Sequence, residues 1–186
     1  MNDDSFKALM LKNGVEQANR DVRIRPPKKM SSEAIEAARA RAGDAVTTFA
    51  DHGLSTEEPA PMDKNKPLEY VAYEVDRSVL GLLDEAPFSA QYEVDLHGHT
   101  VDEAANAIAI LFQIMNEHRL THIRIIHGVG RHSKHGRPLL KAYINRWLKN
   151  NPDIVAFASA RRSDGGVGVV NAVTSNLFNG RWGRTC

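Results

Sequence analysis

The 186-residue sequence contains a single cysteine, which excludes an intrachain disulfide and a cysteine-based zinc site. It has no apolar run near the roughly 20 residues that a helix needs to span a bilayer. Its opening residues, MNDDSFKALM, lack the basic and apolar regions of a signal peptide. Only 6% of its residues are aromatic, so base stacking is a minor part of any nucleic-acid recognition. These absences predict a cytoplasmic protein with no membrane partner.

Charge is distributed unevenly along the chain although the net charge is only +1. Residues 51–94 carry three Lys/Arg and ten Asp/Glu, whereas residues 95–186 carry twelve Lys/Arg and six Asp/Glu. A basic half that follows an acidic segment is typical of proteins with a polyanionic partner. A modest surplus of positive charge is also common on solvated surfaces, so charge alone decides nothing.

The second half of the chain alternates strand patterns with helix patterns. Thr100 and Glu103 form a capping-box pair in front of a long apolar stripe. Pro138 suits the first turn of a second amphipathic helix. Strand patterns cover residues 91–96, 122–127, 154–160 and 167–173. The resulting βαβαββ order predicts a two-layer α/β sandwich in which each strand–helix–strand unit joins parallel neighbouring strands by a right-handed crossover.

Composition divides the chain into four parts. Phe6, Leu9 and Met10 share one face of a predicted short helix, and they could fill a groove on a partner; a frayed terminus is the alternative. The four parts are a partly disordered extension with short helices (1–50), an acidic linker with a short packing helix (51–90), the sandwich domain (91–176) and a tail (177–186).

The stretch VDLHGHT at the end of the first predicted strand carries polar side chains suited to catalysis. Asp95 and His97 are two residues apart, so in a strand their side chains point to the same face. A carboxylate placed there can orient the imidazole and raise its basicity. Gly98 lets a ligand approach the backbone closely. The helix beginning at Thr100 is expected to offer free N–H groups to a phosphate. A turn-capping Asp95 beside a solvated His97 is the alternative.

The stretch IIHGVGRHSKHG follows the second predicted strand and favours anion binding. Gly128 and Gly130 expose backbone amides, and Arg131 and Lys134 supply cations for phosphate oxygens, with His132 between them. A solvated basic loop is the alternative. The stretch matches neither GxxxxGK[ST] nor GxGxxG, so it is not one of the standard nucleotide-binding loops.

The two stretches are expected to meet. Ligands bind at the carboxyl ends of parallel strands, and adjacent strands lie about 5 Å apart. We therefore expect Asp95 and His97 to face His127, forming an anion-binding site that cleaves phosphodiesters. A metal site built from His97, His99, His127 and His132 is a less favoured alternative, because the basic surroundings repel cations. We expect no cofactor.

Three segments, DLHGHTVDEA, IIHGVGRHSKHG and ARRSDGGVGVV, together resemble the small MutS-related (Smr) domain over about residues 92–175. The resemblance implies a fold like the carboxyl-terminal domain of initiation factor three, and nuclease activity. Stand-alone bacterial members, which the amino-terminal half also resembles, cut messenger RNA between collided ribosomes and dock through an amino-terminal extension. Other members, fused to MutS-like proteins, nick DNA or act on ribosomes.

The resemblance also assigns site residues. Asp95 and His97 match the family's catalytic DxH, and His127 begins its HGxG loop. The family usually has leucine where this chain has His99, which we interpret as an exposed ring on a turn. Val129 replaces a common lysine, and Arg131 compensates for that lost charge.

The chemistry that follows needs no metal, because RNA supplies its own 2′-hydroxyl nucleophile. We predict His97, oriented by Asp95, as the base and His127 as the acid, although the two roles could be exchanged. The loop amides, with Arg131 and Lys134, would stabilise the extra negative charge. A DNA-nicking enzyme, which would need an activated water, and a non-catalytic RNA- or ribosome-binding module are the alternatives.

Overall fold

The structure is a computed structural model. It describes residues 54–84, 88–130 and 138–178, together with helical residues at 32–34, 36, 37 and 40. Within these ranges no helix is long and apolar enough to cross a membrane. The expectations for Phe6, Leu9, Met10, Arg131, His132 and Lys134 fall outside the described residues.

In the part of the chain that the structure describes, five strands form one mixed sheet with the order β1-β4-β5-β3-β2. Only the β2–β3 pair is parallel; the other three pairs are antiparallel. The strands are β1 (Glu69–Val71), β2 (Tyr92–Asp95), β3 (His122–Ile126), β4 (Ile154–Ser159) and β5 (Val169–Thr174). The βαβαββ order predicted for the second half of the chain is confirmed, with β1 added at one edge.

Within residues 54–84, 88–130 and 138–178, three α-helices accompany the sheet: α1 (Leu80–Leu83), α2 (Val101–Glu117) and α3 (Leu139–Asn150). The capping box that precedes α2 is confirmed, because the Thr100 hydroxyl accepts from the Glu103 N–H at 3.3 Å while the Glu103 carboxylate accepts from the Thr100 N–H at 2.8 Å. Pro138 immediately precedes α3.

The main core lies between the sheet and the two long helices. Ile123 and Ile125 from β3 and Ile108 from α2 are fully buried in it, and each such side chain stabilises the fold by roughly 1.5–3 kcal/mol. On the other face of the sheet a smaller cluster packs α1 against β4 and β5 through Leu83, Val155 and Val173. At β2 and β3, therefore, the long helices cover one face of the sheet. On the other face, α1 packs against β4 and β5 and not against these two strands.

The prediction that both strand–helix–strand units join neighbouring strands is wrong for the second unit. β5 lies between β3 and β4 and pairs antiparallel with each. All six residues of β5 are buried, and a strand that buries both faces is stabilised most at the centre of a sheet. β3 and β4 still run in the same direction, so their carboxyl ends lie at the same edge as that of β2.

Residues 54–68, which we call the strap, lie along α3. The ammonium group of Lys141, which is 1% exposed, donates to the carbonyls of Asp63, Lys64 and Lys66 at 3.2, 3.1 and 2.5 Å. Further donors to strap carbonyls on the same helix are Tyr143, Arg146 and Trp147. The strap is therefore part of the packed unit.

This packing differs from the linker that composition predicted for the strap. The strap is rich in proline and charge, and most of its side chains are exposed. It is held through backbone carbonyls and through Leu54 and Leu68, both 3% exposed. Composition reports on side chains, so it does not reveal a segment that is held mainly by its backbone. β1, which follows the strap, was also missed because three residues show no strand periodicity.

Candidate active site

The carboxyl ends of β2 and β3 converge, as the sequence predicted. Asp95 pairs with Ile126, and the next amide, that of Leu96, donates to the Ile126 carbonyl at 2.7 Å. A Cβ atom built on Gly128 would lie 3.7 Å from the Cβ of His97. The DLHG stretch and the first glycine of the HGVG stretch therefore lie against each other.

Asp95 and His97 form a hydrogen-bonded pair that suits proton transfer. The Nδ1 atom of His97 lies 2.7 Å from Oδ1 of Asp95, and the His97 backbone N–H donates to the same oxygen at 3.0 Å. The His97 side chain is 75% exposed. With Nδ1 turned to the carboxylate, Nε2 is directed away from Asp95 and is the atom available to a ligand.

The charge of Asp95 supports the same arrangement. Partial burial raises the pKa of its carboxyl group, but hydrogen bonds from the backbone and ring of His97 outweigh burial and leave the pKa below its ordinary value. Asp95 is therefore ionised at neutral pH. An ionised carboxylate holds the Nδ1–H tautomer of His97 and stabilises the imidazolium that forms when Nε2 takes a proton.

A tight turn links this pair to α2. The His99 N–H donates to the Leu96 carbonyl at 3.1 Å, and Gly98 has φ +79°, which matches the third position of a type II turn and favours glycine. A Cβ atom built on Gly98 would meet no atom within 4 Å. The open space beside Gly98 agrees with the predicted close approach of a ligand.

At the amino terminus of α2, the capping box already pairs two of the backbone N–H groups, those of Thr100 and Glu103. The Glu103 carboxylate accepts from both the N–H and the hydroxyl of Thr100, at 2.8 and 2.9 Å. Asp102 adds a second acidic residue in the first turn. These carboxylates already balance the positive end of the helix dipole, so an incoming phosphate would meet negative charge there.

His127 lies away from the Asp95–His97 pair. Its side chain is 4% exposed, and its Nδ1–H donates to the Gly128 carbonyl at 2.8 Å. Its buried Nε2 has no hydrogen-bond partner among the described residues. Burial is the main cause that lowers the pKa of His127 to about 4; the hydrogen bond to Gly128 opposes this shift, and the nearby positive charge of Lys141 adds to it. The imidazole is therefore neutral at pH 7.

The alternation of β3 explains this placement. Ile123 and Ile125 face the helices, and His127 continues their side of the strand, toward Lys141 on α3. Leu96, directly after β2, faces the helices as Tyr92 and Val94 do. Its neighbours Asp95 and His97 therefore face the other way. The prediction that His127 faces the pair as its acid partner is therefore wrong: the backbones converge while the side chains lie on opposite faces of the sheet.

The glycine loop, residues 127–130, is held in place by Gly168, which belongs to the stretch ARRSDGGVGVV. The N–H groups of His127 and Gly128 both donate to the Gly168 carbonyl at 3.0 Å. A Cβ atom on Gly168 would lie 3.1 Å from Cγ1 of Val129 and 3.3 Å from the carbonyl carbon of Gly128. Two of the amides expected to bind phosphate are thus already paired. Sequence reasoning missed this use of Gly168 although its glycine-rich motif was evident.

The four histidines of the metal alternative can be compared only in part. Within the described ranges, no three His, Cys, Asp or Glu side chains are grouped closely enough to hold a metal ion. Of its four proposed histidines, His127 faces the opposite side of the sheet and His132 lies outside the described residues. The exposed Asp95–His97 pair suits proton transfer instead.

Comparisons with known proteins agree with the fold and with the three motifs. A family model described as Smr domain matches residues 94–173. A relative from Photorhabdus laumondii, named ribosome rescue factor SmrB, is 30% identical over 155 residues, which cover 82% of this chain and 81% of the relative.

A second relative and a solved structure extend these matches. The SmrB protein of Aeromonas hydrophila is 28% identical over 116 residues, which cover 62% of this chain and 63%, slightly under two thirds, of that relative. The crystal structure of YdaL, a stand-alone small MutS-related protein from Escherichia coli, has a TM-score of 0.57 at 25% identity. That match covers 67% of this chain and 95% of YdaL.

Proposed function

Because the chain belongs to the Smr domain family, we propose that it is an endonuclease that cleaves messenger RNA on stalled or collided ribosomes. The observation that carries the proposal is the exposed His97 imidazole, oriented by Asp95 and placed against Gly128. The reaction needs no metal, since the substrate supplies the attacking oxygen.

The proposed reaction begins at Nε2 of His97. This atom removes the proton of a 2′-hydroxyl, whose oxygen then attacks the adjacent phosphorus. Asp95 stabilises the imidazolium that forms, and a positioned base of this kind typically accelerates proton transfer 100-fold or more. We assign Gly98, Gly128 and Gly130 to close approach of the phosphate, and Arg131, His132 and Lys134 to binding its charge.

Ribosome association supplies selectivity in this proposal. Relatives of this chain carry the name ribosome rescue factor, and the basic carboxyl-terminal half of the chain suits a polyanionic partner. Phe6, Leu9 and Met10 are the proposed docking residues. Deleting residues 1–30 should abolish co-sedimentation with ribosomes while cleavage of free RNA persists. Unchanged co-sedimentation would remove the docking role.

One experiment separates this function from its alternatives. The purified chain is incubated with stalled polysomes, free RNA and duplex DNA, beside His97→Ala and a matched variant of another exposed histidine, His118→Ala, at the far end of α2. We expect cleavage of polysomal mRNA by the wild type and by His118→Ala only. Nicking of duplex DNA would favour the DNase, and binding without cleavage would favour the non-catalytic module.

A further inference from the structure

The proposed cleavage requires a second proton carrier that the site described so far does not provide. When the 2′-oxygen attacks phosphorus, the bond to the 5′-oxygen breaks, and that oxygen leaves readily only if it gains a proton. His127 was the predicted donor, but its imidazole is neutral, buried and on the opposite face of the sheet. The following inference rests on the proposed function and concerns the missing donor.

His99 is an exposed histidine on the same turn as His97. The turn is closed by the hydrogen bond from the His99 N–H to the Leu96 carbonyl, and Gly98 stands between the two histidines with open space beside it. Two imidazoles thus flank a position at which the backbone leaves room for a ligand. A turn closed by a hydrogen bond and continuous with α2 also holds His99 in a defined place.

The charges around His99 belong to the site. His99 lowers the pKa of the Asp95 carboxyl, although the dominant influences there are burial and the hydrogen bonds from His97. It also lowers the pKa of Glu103, behind the stronger effect of the hydrogen bonds from Thr100. His99 therefore lies within electrostatic reach of the carboxylate that orients His97. Among the described residues, Asp95 and Glu103 are the acidic groups whose pKa His99 lowers.

The position of His99 has no packing role that would explain an imidazole. It precedes the N-cap Thr100, where an apolar residue often packs against the first turn of the helix. His99 is instead exposed. Its imidazole gives up the packing contact that an apolar side chain would make there, and it is accessible to ligands.

We propose that His99 is the general acid of the cleavage. His97 takes the 2′-hydroxyl proton, the 2′-oxygen bonds to phosphorus, the bond from phosphorus to the 5′-oxygen breaks, and His99 delivers its proton to that oxygen. The products are a 2′,3′-cyclic phosphate and a 5′-hydroxyl. The two histidines finish with their protonation states reversed, and exchange with water restores them.

The test replaces the leaving group. One substrate is an ordinary RNA, and the other is the same RNA with sulfur in place of the bridging 5′-oxygen at one position, because a thiolate leaves without a proton. The full chain is compared with His97→Ala, His99→Leu, His132→Leu and His118→Leu. The last variant alters an exposed histidine at the far end of α2.

We expect His99→Leu to cut ordinary RNA about 100-fold more slowly and to cut the sulfur-containing RNA at nearly the wild-type rate. His97→Ala should lose both reactions, and His118→Leu should lose neither. An equal loss of rate by His99→Leu on both substrates, or no loss on ordinary RNA, would overturn the assignment. It would also be overturned if His132→Leu, and not His99→Leu, were slow on ordinary RNA alone. A wild-type chain that cuts neither RNA would overturn the proposed function together with this inference.

Discussion

One oxygen of Asp95 holds His97 at two points: Oδ1 lies 2.7 Å from the ring Nδ1 and accepts from the backbone N–H at 3.0 Å. The backbone contact fixes the carboxylate, and the carboxylate in turn fixes the ring. Both side chains are substantially exposed, so the pair contributes little to stability. An oriented imidazole at an exposed strand end is the arrangement that the proposed proton transfer requires.

Asp95→Asn tests this arrangement. The amide keeps an acceptor for the His97 backbone but cannot balance a developing imidazolium, so we expect the cleavage rate to fall about 100-fold with little change in melting temperature. Glu93→Gln is the control, because Glu93 is an exposed carboxylate on the same strand. Equal rates in the two variants would show that Asp95 does not assist His97.

The buried His127 makes stability depend on pH. Its folded-state pKa is about 4 against an ordinary value of 6.5, so below pH 6.5 the unfolded chain takes up a proton that the folded chain refuses. The free energy of unfolding should therefore decrease as pH falls from 6.5 to 4, by roughly 3 kcal/mol from this group.

His127→Asn isolates this contribution, since asparagine can still donate to the Gly128 carbonyl but does not titrate. Urea unfolding at several pH values should show a smaller loss of stability in the variant. Burial also lowers the pKa of His122, but His122 is present in both proteins and its effect cancels. Parallel pH profiles for the two proteins would contradict the burial of His127.

Gly168→Ala tests the support beneath the glycine loop. The added methyl group would press on Val129 and on the backbone of Gly128, so we expect a loss of about 1–3 kcal/mol in stability and slower RNA cleavage as Gly128 shifts from His97. In Gly81→Ala the new methyl group meets nothing within 4 Å, and helix α1 should be unharmed. Thermal melts and cleavage assays compare the two variants. Equal melting temperatures and equal cleavage rates would show that the glycine loop accommodates the added methyl group without cost.

Lys141→Met tests whether the strap depends on its contacts with α3. Methionine fills a similar volume but leaves three strap carbonyls without their donor, which we expect to cost about 1–3 kcal/mol. Amides of residues 54–68 should exchange hydrogen faster. Lys149→Met removes an exposed cation from the same helix and serves as the control. Unchanged exchange in the Lys141 variant would mean that other contacts hold the strap.

The elements that depend on side-chain periodicity could be predicted from the sequence. The stripe of α2, the capping pair at Thr100 and the alternation around Asp95 specified the helices, the strands and the parallel β2–β3 edge. The order of the strands in the sheet depends on contacts between residues far apart in the sequence. β5 had an apolar pattern, but no local feature showed that it would lie between β3 and β4.

The same distinction applies to the candidate site. Asp95 and His97 were predicted together because they share a strand face. The position of His127 could also have been inferred, since it continues the alternation of Ile123 and Ile125. Its role was instead predicted from the chemistry of its motif. The pairing of two loop amides with the Gly168 carbonyl and the hold of Lys141 on the strap involve backbone carbonyls, which carry no sequence signal.

The most direct test of the central claim is an analysis of the RNA ends produced by the full chain in the presence of EDTA. If His97, oriented by Asp95, activates the 2′-hydroxyl, the wild type will leave 2′,3′-cyclic phosphate and 5′-hydroxyl ends without a divalent metal, and His97→Ala will leave none. Products with 5′-phosphate ends, cleavage abolished by EDTA, or equal cutting by His97→Ala would contradict it.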